Sequence, residues 1–179
     1  MVYTPNFLKA ADMTLGVEKG LSNHRNDPGK RTMWGITERD FPEAWKDGPP
    51  SRKKAVEIYF EHFWRPCRLD EVRSFDVAFE VFDTAINCGP VAAVKFLQAV
   101  ANKLSVAMGM RAIAVDGKMG TETLRRVNAL IARDREEALI VYQNILQGMH
   151  YWALSNSPTM DDFLAGWNKR LRLPARMGL

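Results

Sequence analysis

Glu18 is the residue whose position best suits acid chemistry. It continues one apolar face of a predicted helix that ends at Gly20. The other members of that face are Phe7, Ala11 and Leu15. A carboxyl at this position loses hydration and lies near the negative end of the helix dipole, and both effects raise its pKa toward the value that a general acid needs near neutral pH. A solvated glutamate in a last helical turn is the alternative interpretation.

Two polar residues follow Glu18 at short spacing. Asp27 lies nine residues after Glu18, and Thr32 lies five residues after Asp27. Cleavage of a glycosidic bond requires an acid on one side and, on the other, a carboxylate or a positioned water. This pattern therefore predicts Asp27 as a second carboxylate and Thr32 as the residue that positions a water or Asp27. A role for Asp27 in the turn before Pro28 is the alternative.

The elements that must position these residues are predicted to be mainly helical. Apolar residues recur with helical spacing through most of the chain, and no long alternating run indicates a large sheet. A short hairpin is predicted over residues 32–37, directly after the turn-rich segment. Gly89 followed by Pro90 predicts that one helix ends and the next begins there.

Two further helices are predicted near the C-terminus. Asp134 with Glu137 is the pattern of a reciprocal cap at the start of a helix. Tyr142 and Trp152 follow an apolar stripe of that helix and are predicted to be core residues. A last short helix is predicted from about Asp161, with the apolar residues Phe163, Leu164 and Trp167.

The composition is that of an ordinary globular protein. The chain has 179 residues, of which 46% are hydrophobic and 26% charged, which is enough for one well-filled core. No run approaches the ~20 apolar residues that cross a bilayer, and the N-terminus lacks a basic segment followed by an apolar stretch. We therefore expect a protein without a signal peptide.

The cysteine content argues against a disulfide framework and a Cys-x-x-Cys motif, and the charge suggests an anionic partner. Cys67 and Cys88 are too few for a disulfide framework and are not spaced as Cys-x-x-Cys, so we expect two free thiols. The net charge is +4, and the C-terminal tail carries four cations without an acid, namely Lys169, Arg170, Arg172 and Arg176. This tail predicts contact with anionic surfaces, with a solvated tail as the alternative. No motif for nucleic-acid binding accompanies the charge.

The segment from Val17 to Thr37 resembles the signature of the glycoside hydrolase family 108 muramidases, which include bacteriophage endolysins. That signature runs Glu-Gly-Gly-aromatic and then Asn-x-x-Asp-Pro-Gly-Gly-x-Thr-x-aromatic-Gly-Ile-Thr, and its first Glu, the catalytic acid of the family, falls on Glu18. The order of Glu, Asp and Thr is also similar to the catalytic set of phage-type lysozymes. Three positions depart from the signature without removing Glu18, Asp27 or Thr32, and they are Lys19, Leu21 and Lys30.

Later segments resemble the same family. The matching pieces are Phe82–Gly89, Val115–Thr123 and Gly166–Arg170. The second of them belongs to a C-terminal region that resembles a predicted peptidoglycan-binding domain. We therefore predict a catalytic N-terminal part over residues 1–88 and a C-terminal helical part over residues 89–179, packed into one globular unit.

The resemblance implies a lysozyme-like, mainly α fold with a possible small hairpin after the catalytic helix. It implies hydrolysis of the β-1,4 bond between N-acetylmuramic acid and N-acetylglucosamine, without a metal or an organic cofactor. A monomer that waits in the host cytoplasm and then attacks the cell wall at lysis is the expected form. The predicted partners are peptidoglycan glycan strands, with contact of the basic tail with the anionic envelope and no nucleic acid.

Three residues are predicted to bind the substrate. Trp34 is expected to stack on a sugar face, with packing over the core as the alternative. Asn87 is expected to hydrogen-bond an N-acetyl group, with capping of a helix end as the alternative. Thr37 closes the signature and lies in the predicted hairpin, which we expect to form one wall of a glycan-binding groove together with the N-terminal helix and the loop after it.

Two other functions fit parts of the chain. A lytic transglycosylase needs a single acid/base glutamate and forms an anhydromuramyl end without water. A non-catalytic wall-binding module would need only the Asp-Gly-x-x-Gly-x-x-Thr segment that starts at Asp116. For Asp116 itself, a turn-forming role is a simpler interpretation than ligand binding. The three histidines show no paired spacing, which argues against a zinc amidase.

Overall fold

The computed structural model describes residues 2–17, 21–22 and 31–155. Glu18, Asp27, the helix predicted from Asp161 and the basic tail from Lys169 lie outside the described residues. The chain divides into two units, Met1–Arg65 and Pro66–Leu179. The sequence analysis predicted a functional division after residue 88, between a catalytic part and a C-terminal helical part, and this division stays a prediction.

The first unit is built on two helices and their aromatic core. Helix α1 spans Pro5–Val17 and helix α2 spans Arg52–Tyr59, which continues as a π-helix over Phe60–Trp64. A 3₁₀ helix spans Pro42–Trp45. The predicted apolar face of α1 is confirmed, because Phe7, Ala11 and Leu15 are all buried. The Phe7 ring lies 5.0 Å from the Phe60 ring and 5.5 Å from the Trp64 ring, so α1 and the π-helix share one core.

A small antiparallel sheet follows α1. Its strands are β1 (Leu21–Ser22), β2 (Thr32–Met33) and β3 (Ile36–Thr37), in the order β1-β2-β3. Leu21 pairs with Met33 and Ser22 pairs with Thr32, while β2 and β3 form the predicted hairpin. The hairpin prediction is confirmed, and the structure adds β1, which the sequence did not predict.

Over its described residues, 66–155, the second unit consists mainly of four helices. They are α3 (Phe75–Cys88), α4 (Pro90–Val106), α5 (Thr121–Ile131) and α6 (Glu136–Ser155), preceded by a 3₁₀ helix over Leu69–Glu71. Helix α3 packs against α4 and α6, and α4 also packs against α5 and α6. The predicted boundary is confirmed, because Gly89 has a φ of 85° and α4 begins at Pro90. With these helices the prediction of a mainly α fold is confirmed.

The predicted cap of α6 is wrong. Asp134 has a φ of 56°, in the left-handed region, whereas a capping residue needs extended backbone. Asp134 instead belongs to the turn that ends α5, where its N–H donates to the Ile131 carbonyl at 3.1 Å. The first residue of α6, Glu136, accepts a 2.7 Å hydrogen bond from the Ser74 hydroxyl. The capping pattern led to a wrong prediction because Asp134 belongs to the turn that ends α5, which fixes its backbone in the left-handed region.

A buried glutamine organises the loop between α4 and α5. Gln98 is 1% exposed, and its amide donates to Asp116 Oδ1 at 2.9 Å and to the Lys118 carbonyl at 3.0 Å. Its Oε1 accepts from the Gly117 N–H at 2.9 Å. The Gln98 amide and the Lys118 N–H hold the pKa of the Asp116 carboxyl below its ordinary value. Asp116 is therefore a turn residue, as the simpler interpretation of the sequence expected.

Two features bear on the broad class of the protein. Cys67 and Cys88 are both free thiols, and burial raises their pKa to about 12 and about 11 respectively. Within the described ranges, no helix combines the length and the apolar character that a membrane crossing requires.

Gly117 provides a test of the loop geometry. A Cβ added at Gly117 would lie 2.7 Å from Val91 Cγ1 and 3.0 Å from the Val91 carbonyl oxygen, at a φ of +79°. Gly109 has a φ of +74° but no atom within 4 Å of such a Cβ, so it is the matched control. We expect Gly109→Ala to cost about 1 kcal/mol of folding free energy through strain alone, and Gly117→Ala to cost at least twice as much. Urea unfolding measures both, and equal costs would contradict the close approach.

Candidate active site

The residues predicted to do chemistry fall in three places. Glu18 and Asp27 are outside the described part of the chain. Thr32 and Thr37 lie on β2 and β3 of the first unit, and Trp34 lies in the turn that joins those strands. Asn87 lies near the end of α3 in the second unit. The structure thus brings three of the six predicted residues together in one hairpin.

The hairpin turn has an unusual residue at its first position. Trp34 and Gly35 have φ values of 54° and 71°, which is the type I′ geometry that matches the twist of two-residue hairpins. Glycine adopts this geometry without strain, whereas a bulky residue such as tryptophan does so at a cost of roughly 1 kcal/mol. The remaining contacts of the turn must therefore offset this strain.

The principal contact comes from α2. The hydroxyl of Tyr59, a fully buried residue, donates a 2.8 Å hydrogen bond to the Trp34 carbonyl. Ile36, the first residue of β3, is also buried and anchors this strand in the core of the first unit. Trp34 as a whole is partly buried, and stacking of its ring on a sugar stays a prediction.

Charged residues fasten the open end of the hairpin. Arg31 makes two hydrogen bonds with the Glu38 carboxylate, at 3.1 Å from Nε and 3.0 Å from Nη2. The Glu38 N–H also donates to the Arg31 carbonyl at 2.8 Å. The Arg31 guanidinium lies 5.0 Å from the centre of the Trp45 ring, within the range of a cation–π contact. These contacts fix the residues on either side of β2 and β3.

Thr32 carries a buried hydroxyl. Its Oγ1 is shielded from solvent and makes no hydrogen bond with any of the described residues. Thr32 pairs with Ser22 across the sheet, so this hydroxyl belongs to the strand that pairs with β1. A buried hydroxyl without a partner costs free energy unless a water, a ligand or another residue satisfies it.

Thr37 makes its hydrogen bonds locally. Its hydroxyl donates to Asp40 Oδ2 at 2.8 Å and accepts from the Asp40 N–H at 3.1 Å. Arg39 first, and then the Thr37 hydroxyl, hold the pKa of the Asp40 carboxyl below its ordinary value. Thr37 therefore shapes the turn after β3, and its direct contact with a substrate stays a prediction.

The Asn87 side chain makes its hydrogen bonds within its own helix through one end of its amide. Its Nδ2 donates to the Asp83 carbonyl at 2.7 Å and lies 3.4 Å from the Asp83 carboxylate. Within the described ranges, Asn87 Oδ1 makes no hydrogen bond, so this oxygen can accept a donor from a ligand. The Asn87 amide therefore bonds within its own helix, and contact of its Oδ1 with an N-acetyl group stays a prediction.

Tyr59, Arg31 and Glu38 are the residues that the sequence analysis missed. Tyr59 follows an apolar helical stripe in the sequence, and helical spacing does not show which group a side-chain hydroxyl contacts. Arg31 and Glu38 flank the predicted hairpin symmetrically, and that placement was a signal that could have identified the pair. No group of three or more metal-ligating side chains occurs among the residues that the structure describes.

The contact between Tyr59 and Trp34 can be tested by removing one hydroxyl. Tyr59→Phe keeps the ring but leaves the Trp34 carbonyl without its donor, so we expect a loss of about 1 kcal/mol and a fall in Tm of roughly 3 °C. Tyr142→Phe is the control, because the Tyr142 side chain is exposed and makes no hydrogen bond with other described residues. Equal Tm values for wild type and Tyr59→Phe would mean that the turn is held by other contacts.

Comparison with known proteins finds two family models that match successive parts of this chain. The family model described as Glycosyl hydrolase 108 matches residues 11–89, and the one described as Predicted Peptidoglycan domain matches residues 92–172. A solved structure, that of Brucella abortus SagA, is similar to the chain with a TM-score of 0.69 and 28% sequence identity. That similarity covers 92% of this chain and 88% of SagA. No curated protein matches the chain.

The two family models meet where the structure has Gly89 and Pro90, and the first model spans the whole hairpin. A glycoside hydrolase region is thus followed directly by a region whose ligand class is peptidoglycan. Residues 11–89 therefore carry a glycosyl hydrolase 108 domain, and the protein is a peptidoglycan-degrading enzyme.

Proposed function

We propose that the enzyme is an N-acetylmuramidase that hydrolyses the β-1,4 bond between N-acetylmuramic acid and N-acetylglucosamine. The observation that carries the proposal is the family match over residues 11–89, which includes Glu18, Asp27 and Thr32. The described hairpin supports it, because Thr32 contributes a buried hydroxyl without a partner among the described residues.

The positions of the described elements support Glu18 and Asp27 as the reacting pair. Glu18 directly follows Val17, the last residue of α1, and precedes β1 by three residues. A carboxyl at the C-terminal end of a helix has a raised pKa, which suits an acid. Asp27 belongs to the connection that the pair of Ser22 and Thr32 closes. Both carboxyl groups are therefore tied by short lengths of chain to the same sheet.

In the proposed mechanism Glu18 donates its proton to the glycosidic oxygen as the bond from that oxygen to C1 breaks. The departing sugar leaves with a hydroxyl, and positive charge develops on the ring that retains C1. The Asp27 carboxylate stabilises that charge, and the Thr32 hydroxyl positions a water or Asp27. Water finally supplies the hydroxyl that C1 carries in the product, and its other proton returns the Glu18 carboxylate to the acid form.

The substrate contacts follow from the accessible groups of the site. Trp34 stacks its ring on a sugar face, as an aromatic side chain in a hairpin turn can do. Asn87 Oδ1 accepts the N–H of an N-acetyl group. Thr37 supports the wall of the groove through the turn that it forms with Asp40.

The proposed role is lysis of a bacterial host by a phage endolysin. The protein accumulates as a monomer in the host cytoplasm and cleaves the wall once it gains access to it. The cations from Lys169 onward, outside the described residues, assist contact with the anionic envelope.

The acid role of Glu18 is tested on purified peptidoglycan. We expect Glu18→Gln to lower the rate by at least ~10² while Tm stays near wild type, because the amide cannot donate a proton to the leaving oxygen. Glu43→Gln is the matched control, since Glu43 is an exposed glutamate of the same unit. Retention of a third of the activity would exclude Glu18 as the acid.

Two further measurements complete this test. Asp27→Asn should lower the rate by a similar factor, and Asp47→Asn is its control. A fully active Asp27→Asn protein would exclude Asp27 as the second carboxylate of the reaction. Mass spectrometry of the digested wall should show products with reducing N-acetylmuramic acid ends. Products lighter by one water would instead identify a lytic transglycosylase.

The envelope role of the basic tail is tested by truncation after Arg170. We expect unchanged cleavage of purified peptidoglycan and weaker attack on intact Gram-negative cells, with the difference erased by added salt because salt screens exposed charges. Replacing Arg172 and Arg176 by glutamine in the full-length chain removes the charge without shortening the tail and should give the same result. A truncated protein that fails to cleave purified wall would show that the tail is structural.

A further inference from the structure

Helix α6 buries polar side chains and exposes apolar ones. Gln143, Asn144 and Gln147 are each 1% exposed or less. Gln143 and Gln147 face α3, because each makes a hydrogen bond with the Thr84 hydroxyl, at 3.3 Å and 3.1 Å respectively. A helix at the surface of a globular protein normally has the reverse arrangement. This inversion indicates that the second face of α6 is also an interface.

The exposed face of α6 is continuous. Tyr142, Ile145 and Met149 are 46%, 42% and 62% exposed, contrary to the core position predicted for Tyr142. At about 100° per residue these three side chains lie on the side of the helix opposite Gln143 and Gln147. Trp152, likewise predicted to be core, continues the same face at 73% exposed. We call the surface of Tyr142, Ile145 and Met149 the α6 apolar face.

Helix α4 forms a groove beside this face. The groove has a volume of about 170 Å³ and is lined by Ala99, Val100 and Lys103 of α4 together with Tyr142, Ile145 and Leu146 of α6. Apart from the Lys103 amine and the Tyr142 hydroxyl, its side chains are apolar. A groove of this chemistry suits aliphatic and aromatic side chains better than the hydroxyl groups of a glycan.

We propose that the α6 apolar face is the docking site of the chain segment 161–171, which follows α6 and lies outside the described residues. The segment carries Phe163, Leu164, Trp167 and Leu171, whose spacing places them on one side of a helix. Asp161 and Asp162 at its start and Lys169 and Arg170 near its end match the helix dipole. The family model that begins at residue 92 extends to residue 172, so this segment belongs to the same domain pattern as α6.

The lengths of the two surfaces agree. Residues 142–152 of α6 span about 15 Å and residues 163–171 of a helix span about 12 Å, at 1.5 Å per residue. The five residues from 156 to 160 are a usual length for a connection between antiparallel helices. An antiparallel return therefore sets Trp167 opposite Met149 and leaves Arg172 and Arg176 beyond the contact. This inference does not depend on the proposed function.

A double-mutant cycle in the full-length protein tests the docking. We expect Met149→Ala and Trp167→Ala each to lower Tm by about 4 °C or more, and the double variant to lower it no further than the larger single change. Met13→Ala is the matched control, because Met13 is a 40% exposed methionine on α1. It should change Tm by less than about 1 °C and combine additively with Trp167→Ala.

Hydrogen exchange of the wild-type chain gives a second readout that needs no variant. We expect the amides of residues 163–171 to exchange far more slowly than those of an unstructured peptide. Exchange at the unstructured rate overturns the proposal, as does an unchanged Tm for Met149→Ala. A dimer in sedimentation that Met149→Ala dissociates would assign the face to a second copy of the chain. Loss of wall binding by Met149→Ala without a change in Tm would assign the face to peptidoglycan. Either result would overturn the proposal.

Discussion

The hydrogen bond from the Tyr59 hydroxyl to the Trp34 carbonyl links the candidate active site to the helical core of the first unit. The turn at Trp34 has a strained backbone, and Tyr59 belongs to a helix end packed among aromatic rings. Strain in a turn persists only where its surroundings determine the conformation. The orientation of the hairpin, and with it the direction in which Thr32 and Trp34 face, therefore depends on the packing of α2.

Sequence patterns predicted the elements whose signals are local. The apolar face of α1 and the boundary at Gly89 and Pro90 depend on residues within one or two turns of each other, and both are confirmed. The hairpin over residues 32–37 was predictable for the same reason. The candidate site was predictable only as a resemblance, because Glu18 and Asp27 have no spacing signal that separates a catalytic pair from a helix end and a turn.

The features that the sequence did not predict depend on partners distant in the chain. Strand β1 is two residues long and exists through its pairing with β2, so no periodic signal could indicate it. Asp134 fitted a capping pattern, yet the end of α5 places its backbone in the left-handed region. Tyr142 illustrates a further limit, because periodicity shows that a face is apolar but not what covers it.

Both units use a buried polar side chain to hold a turn with positive φ. Tyr59 holds the carbonyl of Trp34 in the first unit, and Gln98 holds the N–H of Gly117 in the second. A side chain that is buried with its hydrogen bonds satisfied has few alternative conformations, so the turn inherits the rigidity of the helix that carries it. Binding surfaces in proteins commonly lie on loops supported by a rigid scaffold. In this enzyme that support depends on two residues, each of which has the spacing of an ordinary core position and a polar group directed at a backbone atom far along the chain.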